Sequence, residues 1–266
     1  MLHLYIVGDS HIGCVSRAFR EVSKATPKPH YSAAFHSLGG GAVAYDLLIR
    51  NHQSRWVLNP LLKTAVVAAN REATRITPAD AVQIAICVGG YVSTVYTWDK
   101  KLGQFDFLLY AEDSIATNPN ATSMMVPTSM VRQSLKAHLK VMVDALLQLK
   151  QQTALPVLFV SPPPPYRSSE TIVELMSAKR SIDKQAMQQP MHSSVRLKVW
   201  RVADEILRAE MERIGVPFLE VPSGSVDADG YLLPEMFGDG FHAGTAYGQL
   251  VLDALVKRAE KEAASA

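Results

Sequence analysis

The apolar run Leu4-Tyr5-Ile6-Val7 stops abruptly on Gly8-Asp9-Ser10-His11, and a helical pattern begins within a residue or two. This junction constrains the chain more than any other stretch. It reads as a buried strand whose carboxyl end carries Ser10, the place where open α/β sheets bind ligands. The following helix start aims unpaired N–H groups and partial positive charge at the same spot. A serine there is either a nucleophile or a helix cap, because Ser and Asp are both common N-cap residues.

A second stretch, Asp239-Gly240-Phe241-His242 followed by Ala243-Gly244-Thr245, lies near the other end of the chain. An acid three residues before a histidine on a glycine-containing turn can set both side chains on one side of the backbone. The carboxylate then holds one ring nitrogen and the other faces outward as a base. Nucleophile, base and orienting acid are the parts of a serine hydrolase, in the chain order Ser10, Asp239, His242.

With Gly8-Asp9-Ser10 near the start and Asp239-x-x-His242 near the end, the chain resembles the SGNH (GDSL-type) hydrolases, a family of esterases, lipases and carbohydrate deacetylases. The resemblance implies a flavodoxin-like three-layer α/β/α sandwich with a central parallel sheet of about five strands. It also implies that the oxyanion is held by the backbone N–H of Ser10 and of a second-block glycine. Gly41 is the best match in Gly39-Gly40-Gly41, and Gly40 is next. The family's third block is usually Gly, any residue, Asn, Asp. Here it reads Gly89-Gly90-Tyr91-Val92, so Tyr91 stands where the asparagine donor would be. Loss of one oxyanion donor can cost about 10²–10³ in rate. The Tyr91 hydroxyl, or Asn118 or Asn120 from the following loop, could replace it; otherwise the site is weak or inactive.

Candidate substrate contacts around the strand ends are Asp9, His11, Gly90, Tyr91 and Arg167. His11 equally suits a solvated first helical turn, Tyr91 a ring packed over the pocket rim, and Arg167 a solvated rim charge. Arg167 follows Pro162 to Pro165, a stiff extended segment after the fourth strand.

The chain has 266 residues, 48% hydrophobic and 20% charged, enough for one compact α/β domain spanning 1–266. A formal charge of +2 with scattered basic residues gives no reason to expect nucleic acid as a partner. Cys14 and Cys87 are too few for a disulfide framework and lack zinc-ligand spacing. No metal or other cofactor is expected: the histidines form no metal motif, and Gly39 to Gly41 lacks the Lys-Ser/Thr of a phosphate loop. No secretory signal precedes the first strand, and no run reaches roughly 18 apolar residues, so neither export nor a membrane span is expected and the chain reads as cytoplasmic.

The remaining periodicities predict strands over 2–7, 31–38, 81–88, 156–160 and 216–221. They predict helices over 12–24, 42–52, around 61–69, over 131–151 and 195–214, and one from about Thr245, with a fraying charged end from Lys257. This rhythm favours one parallel sheet with helices on both faces. The reading is an SGNH-type esterase that removes a small acyl group, such as acetyl, from a small molecule or acylated glycan. Its alternatives are an acyltransferase on the same scaffold and a non-catalytic ligand-binding protein.

Overall fold

In the computed structural model, residues 1–26, 30–38, 47–53, 56–76, 81–88, 105–109, 124–180, 190–239 and 242–264 are described. The elements are β1 (Leu2–Gly8), α1 (Ile12–Ala25), β2 (Tyr31–Ser37), β3 (Leu48–Arg50), β4 (Trp56–Leu58), α2 (Pro60–Ala73) and β5 (Ala81–Cys87). They continue with β6 (Phe105–Asp106), β7 (Met124–Met125), α3 (Thr128–Gln152), β8 (Val157–Val160), α4 (Ser169–Arg180), α5 (Ser193–Ile214), β9 (Phe218–Leu219) and α6 (Thr245–Ala264).

Five strands form one parallel sheet in the order β2-β1-β5-β8-β9. Counted along the chain this is 2-1-3-4-5, the flavodoxin-like order, and the direction of winding reverses between β1 and β5. The carboxyl ends of those two strands therefore border the crevice of the sheet. β1 and β5 are in register up to that crevice, with Val7 opposite Ile86 and Gly8 opposite Cys87.

Both faces of the sheet are covered, which is why its central strands read as unbroken apolar runs. Strand alternation sends Val7, Ile84, Ile86 and Phe159 into the core shared with α2, α3 and α5. Ile6, Ala85, Cys87, Leu158 and Val160 face the core shared with α1 and α6. These two helices touch where a methyl group at Gly248 would overlap the backbone carbonyl of Cys14. Only a residue without Cβ allows that approach. Among the described residues no helix is long and apolar enough to cross a membrane.

Some local expectations fail for identifiable reasons. The helix expected over 42–52 is replaced, from Leu48 on, by β3, which pairs antiparallel with β4 as Leu48↔Leu58 and Ile49↔Val57. The β-branched Ile49 and Val57 suit that ladder, and the Asn51 side chain accepts from the Gln53 N–H in the turn between the strands. The fifth strand is shorter than 216–221 and pairs only at Phe218 and Leu219. The C-terminal helix does not fray at Lys257 but continues to Ala264. It is tied down by Ala259 in the core, by the Arg258–Glu262 pair at 2.8 Å and by the Gln83 amide donating to Glu262.

Gly248→Ala should lower the unfolding free energy by about 2 kcal/mol or more, because the added methyl meets backbone that cannot rotate away. Urea denaturation should show the loss as a lower midpoint with an unchanged slope.

Candidate active site

The turn from β1 into α1 is set by a close strand contact. A side chain at Gly8 would overlap the Cys87 carbonyl and the Ile12 side chain. The Asp9 N–H donates to the Cys87 carbonyl at 3.3 Å, and the Leu38 N–H to the Gly8 carbonyl at 2.8 Å. β1 is thus fixed to both neighbours at its last residue. Asp9 turns inward and is only 1% exposed, whereas Ser10 is exposed above it. The Ile12 and Gly13 N–H groups donate to the carbonyls of Asp9 and Ser10, and the His11 N–H donates to the Asp9 carboxylate at 2.9 Å. Among the described residues, the Ser10 N–H is the one amide of this turn that no acceptor takes.

The histidine arrives on a compact loop after a 3₁₀ turn at Pro234–Met236. Phe237 and Ala243 pair across the loop. The Gly238 and Asp239 N–H groups both donate to the His242 carbonyl, and the Gly244 N–H donates to the Met236 carbonyl at 2.7 Å. A Cβ at Gly238 would collide with the His242 and Ala243 carbonyls, and one at Gly244 with the Phe237 carbonyl, so the two glycines let the loop close on itself. The Asp239 carboxylate accepts from the His242 N–H at 3.2 Å and from Nδ1 of its ring at 2.6 Å. With the proton on Nδ1, Nε2 is an acceptor, and it lies 2.7 Å from the Ser10 Oγ. Hydroxyl, imidazole and carboxylate stand in one row, joining residues 232 apart in sequence. The hydroxyl is directed to the imidazole, and the N-cap position of α1 falls to His11, whose side chain makes no capping bond.

No protein-family model matches the chain, and no curated protein matches it. Among solved structures it is similar to a GDSL-like lipase from Bacteroides thetaiotaomicron, at 12% identity and a TM-score of 0.46, over 98% of this chain and 88% of that one. It is also similar to the aryl esterase of M. smegmatis, at 13% identity and a TM-score of 0.43, over 98% of this chain and 99% of that one. A member of the lipolytic G-D-S-L family from Veillonella parvula gives 11% identity and a TM-score of 0.42, over 97% of each chain.

The other candidate positions divide. His11 lies beside the row, its ring edge-on to that of His242 with centroids 5.0 Å apart. Arg167 is turned to the 227–231 turn, where its guanidinium pairs with Asp227 at 2.8 Å and Asp229 at 2.5 Å and lies 4.2 Å over the Tyr231 ring. The hydrogen bonds to Asp229 and Asp227 raise its pKa above the ordinary arginine value. Gly40, Gly41, Gly90, Tyr91, Asn118 and Asn120 lie outside the described residues.

Two supporting residues escape a reading by pattern. Arg196 is 3% exposed and donates to the carbonyls of Tyr166, Arg167 and Met191 and to the Ser169 hydroxyl. It therefore holds the segment that follows the four prolines, and its burial lowers its pKa to about 10. Phe237 stacks on Tyr166 with centroids 4.1 Å apart, tying that segment to the histidine loop. In sequence Arg196 is one more cation on an amphipathic helix; its position between Val195 and Leu197 is the only hint that it is buried.

Beneath the Ser10 turn is a small cavity lined by residues that include His11, Cys14, Cys87, Ser161 and Tyr247. Burial raises the Cys14 thiol to about 11 and pushes Cys87 up as well. Both should remain protonated and resist iodoacetamide at pH 8 in the native protein, yet react in denaturant, as peptide mass spectrometry would read. The sign for stability follows from linkage. The unfolded chain releases the Cys14 proton near the ordinary value of 9.0 while the folded chain keeps it to about 11. Stability should therefore fall as pH rises across that interval.

Proposed function

We propose that the chain is a serine hydrolase of SGNH type that cleaves an ester, releasing a small acyl group such as acetyl from a small molecule or an acylated glycan. The observation that carries this reading is the row from the Ser10 Oγ to His242 Nε2, at 2.7 Å, and from Nδ1 to Asp239, at 2.6 Å. Both spacings suit direct proton transfer and orientation. The site's place at the reversal of the sheet adds support, since open α/β sheets bind ligands there.

In this mechanism the Ser10 oxygen attacks the acyl carbonyl while His242 Nε2 takes its proton. Asp239 keeps the other proton on Nδ1 and stabilises the imidazolium that forms. The negative charge on the carbonyl oxygen falls to backbone donors. The Ser10 N–H suits this role, because among the described residues it is the amide of the turn that no acceptor takes. The second donor, Gly41 or Gly40, is carried by the family resemblance alone. His242 then returns its proton to the leaving alcohol, and the acyl group stays on Ser10 as an ester. Water attacks that ester with His242 again as the base, and its proton passes back to Ser10 as the acid product leaves. His242 thus acts as the base at the start of each half-reaction and as the acid at its end.

Ser10→Ala should reduce kcat on a short p-nitrophenyl ester by about 10⁴-fold or more, with Asp239→Asn also strongly impaired. An unchanged circular dichroism melt would separate loss of chemistry from loss of fold. Covalent labelling of Ser10 by a fluorophosphonate, located by peptide mass spectrometry, is the companion result. Equal turnover by wild type and Ser10→Ala would reject the reading.

A further inference from the structure

We propose that His11, anchored by Asp9, is a positioning residue that fixes the ring of His242 for proton transfer, an inference that rests on the hydrolase reading above. Two imidazole–carboxylate pairs meet at this site, and they are built alike. The Asp9 Oδ1 accepts from both the backbone N–H of His11, at 2.9 Å, and its ring Nδ1, at 3.0 Å. The Asp239 Oδ1 accepts from the same two groups of His242, at 3.2 and 2.6 Å. The two rings touch edge to face, with centroids 5.0 Å apart and planes inclined by 65°.

The pairs differ in burial. The His11 and Asp9 side chains are 12% and 2% exposed, against 23% and 36% for His242 and Asp239. The inner pair is therefore the more rigid one, and the outer ring leans on it. This support is needed because the outer ring turns about χ2, a torsion that is broad for histidine. A hydrogen bond at Nδ1 alone lets Nε2 swing away from the serine oxygen. A ring packed on one flank narrows that swing.

Asp9 supplies a smaller part of the same restraint, one layer deeper. The cavity under the turn, with room for about one water molecule, has His11 in its wall beside Cys14, Ser161 and Tyr247. The buried Tyr247 hydroxyl has no partner among the described residues. Behind His11 the packing is thus incomplete, and the bond to Asp9 adds to the contact with His242 in holding the ring out of that space.

The test compares His11→Ala with His11→Phe, the second keeping a ring against His242 without the bond to Asp9. For a short p-nitrophenyl ester, His11→Ala should lower kcat by about 10–100-fold with KM changed by no more than about twofold, as misplacement of a reacting group by about 1 Å can do. His11→Phe should recover a substantial part of that loss. The second-order rate of fluorophosphonate inactivation, which depends on Ser10 and His242 but not on contacts to a natural substrate, should fall and recover in the same proportions. A raised KM with unchanged inactivation would make His11 a substrate contact and overturn the proposal. Equal impairment of the Ala and Phe variants would overturn it too, as would unchanged kcat in His11→Ala. Failure of the wild type to be labelled at all would instead remove the hydrolase reading, and this role with it.

Discussion

The helix that follows Ser10 and the helix that follows His242 are in backbone contact. α1 starts at Ile12 and α6 at Thr245, and they meet at Cys14 and Gly248, within the first turns of both. Two residues at opposite ends of the polypeptide are thereby held at one place by the elements that carry the chain away from them. The sheet alone would not do this, because its pairing fixes β1 against β2 and β5 but says nothing of the loop at 237–244. The contact spends a glycine, since any side chain at 248 would push α6 off α1 and withdraw the histidine loop from the serine turn.

A second constraint acts from below. The Gly8–Cys87 approach keeps β1 and β5 paired to the last residue, so the turn leaves the sheet at a sharp and defined point. Asp9 turns into the protein, where its carboxylate accepts from the amide and ring of His11. An unpaired buried carboxylate would be costly; here the partners come from within two residues. The exposure of Ser10 and the burial of Asp9 are two results of one bend. Elsewhere the fold buries whole charges. Lys198 and Asp106 pair at 3.2 Å with neither side chain exposed, and the Lys198 ammonium also donates to the Phe107 carbonyl. Removing one partner of such a pair typically costs about 3–5 kcal/mol, because the other charge is stranded.

The sheet was legible in the sequence because its signals are short-range. The runs at 4–7, 81–88 and 156–160 are apolar on both faces, and that pattern follows from being covered on both sides. The helices at 60–73 and 193–214 were legible because their ends carry caps: Asn59 accepts from the Leu61 N–H, and Gly215 closes the later helix at a φ of +64°. Positions 10, 239 and 242 stood out because few pairs of glycine-flanked acid, hydroxyl and imidazole motifs lie at opposite ends of an alternating α/β chain. What failed was set by distant partners. The β3–β4 ladder needs pairing across a turn, and a window over 42–52 holds only one strand of it. The last helix reads as loose when only its charges are counted, because Gln83 and Phe218, which receive it, lie far back in the chain. The roles of Arg167 and Arg196 were illegible for a related reason. Arg167 follows the proline run and Arg196 lies on an amphipathic helix, and only the folded chain shows that the first meets two carboxylates and the second three carbonyls and a hydroxyl.

The described residues around His242 lie outside the helices and the five-stranded sheet, yet the ring must stay in place if the bond to Ser10 is to persist. Three ties from different directions supply that. The Phe237–Ala243 bridge closes the loop upon itself. Stacking of Phe237 on Tyr166 docks it to the segment beyond β8, and Arg196 fixes that segment to α5 through the Tyr166 and Arg167 carbonyls. The ring of His11 meets it from the serine side. Each tie leaves a different motion free: the bridge permits rigid rotation of the loop, the stack permits sliding in the ring plane, and the edge contact permits withdrawal. Only together do they leave the imidazole one position, and a site assembled from loops needs that redundancy because no hydrogen-bonded ladder supplies it.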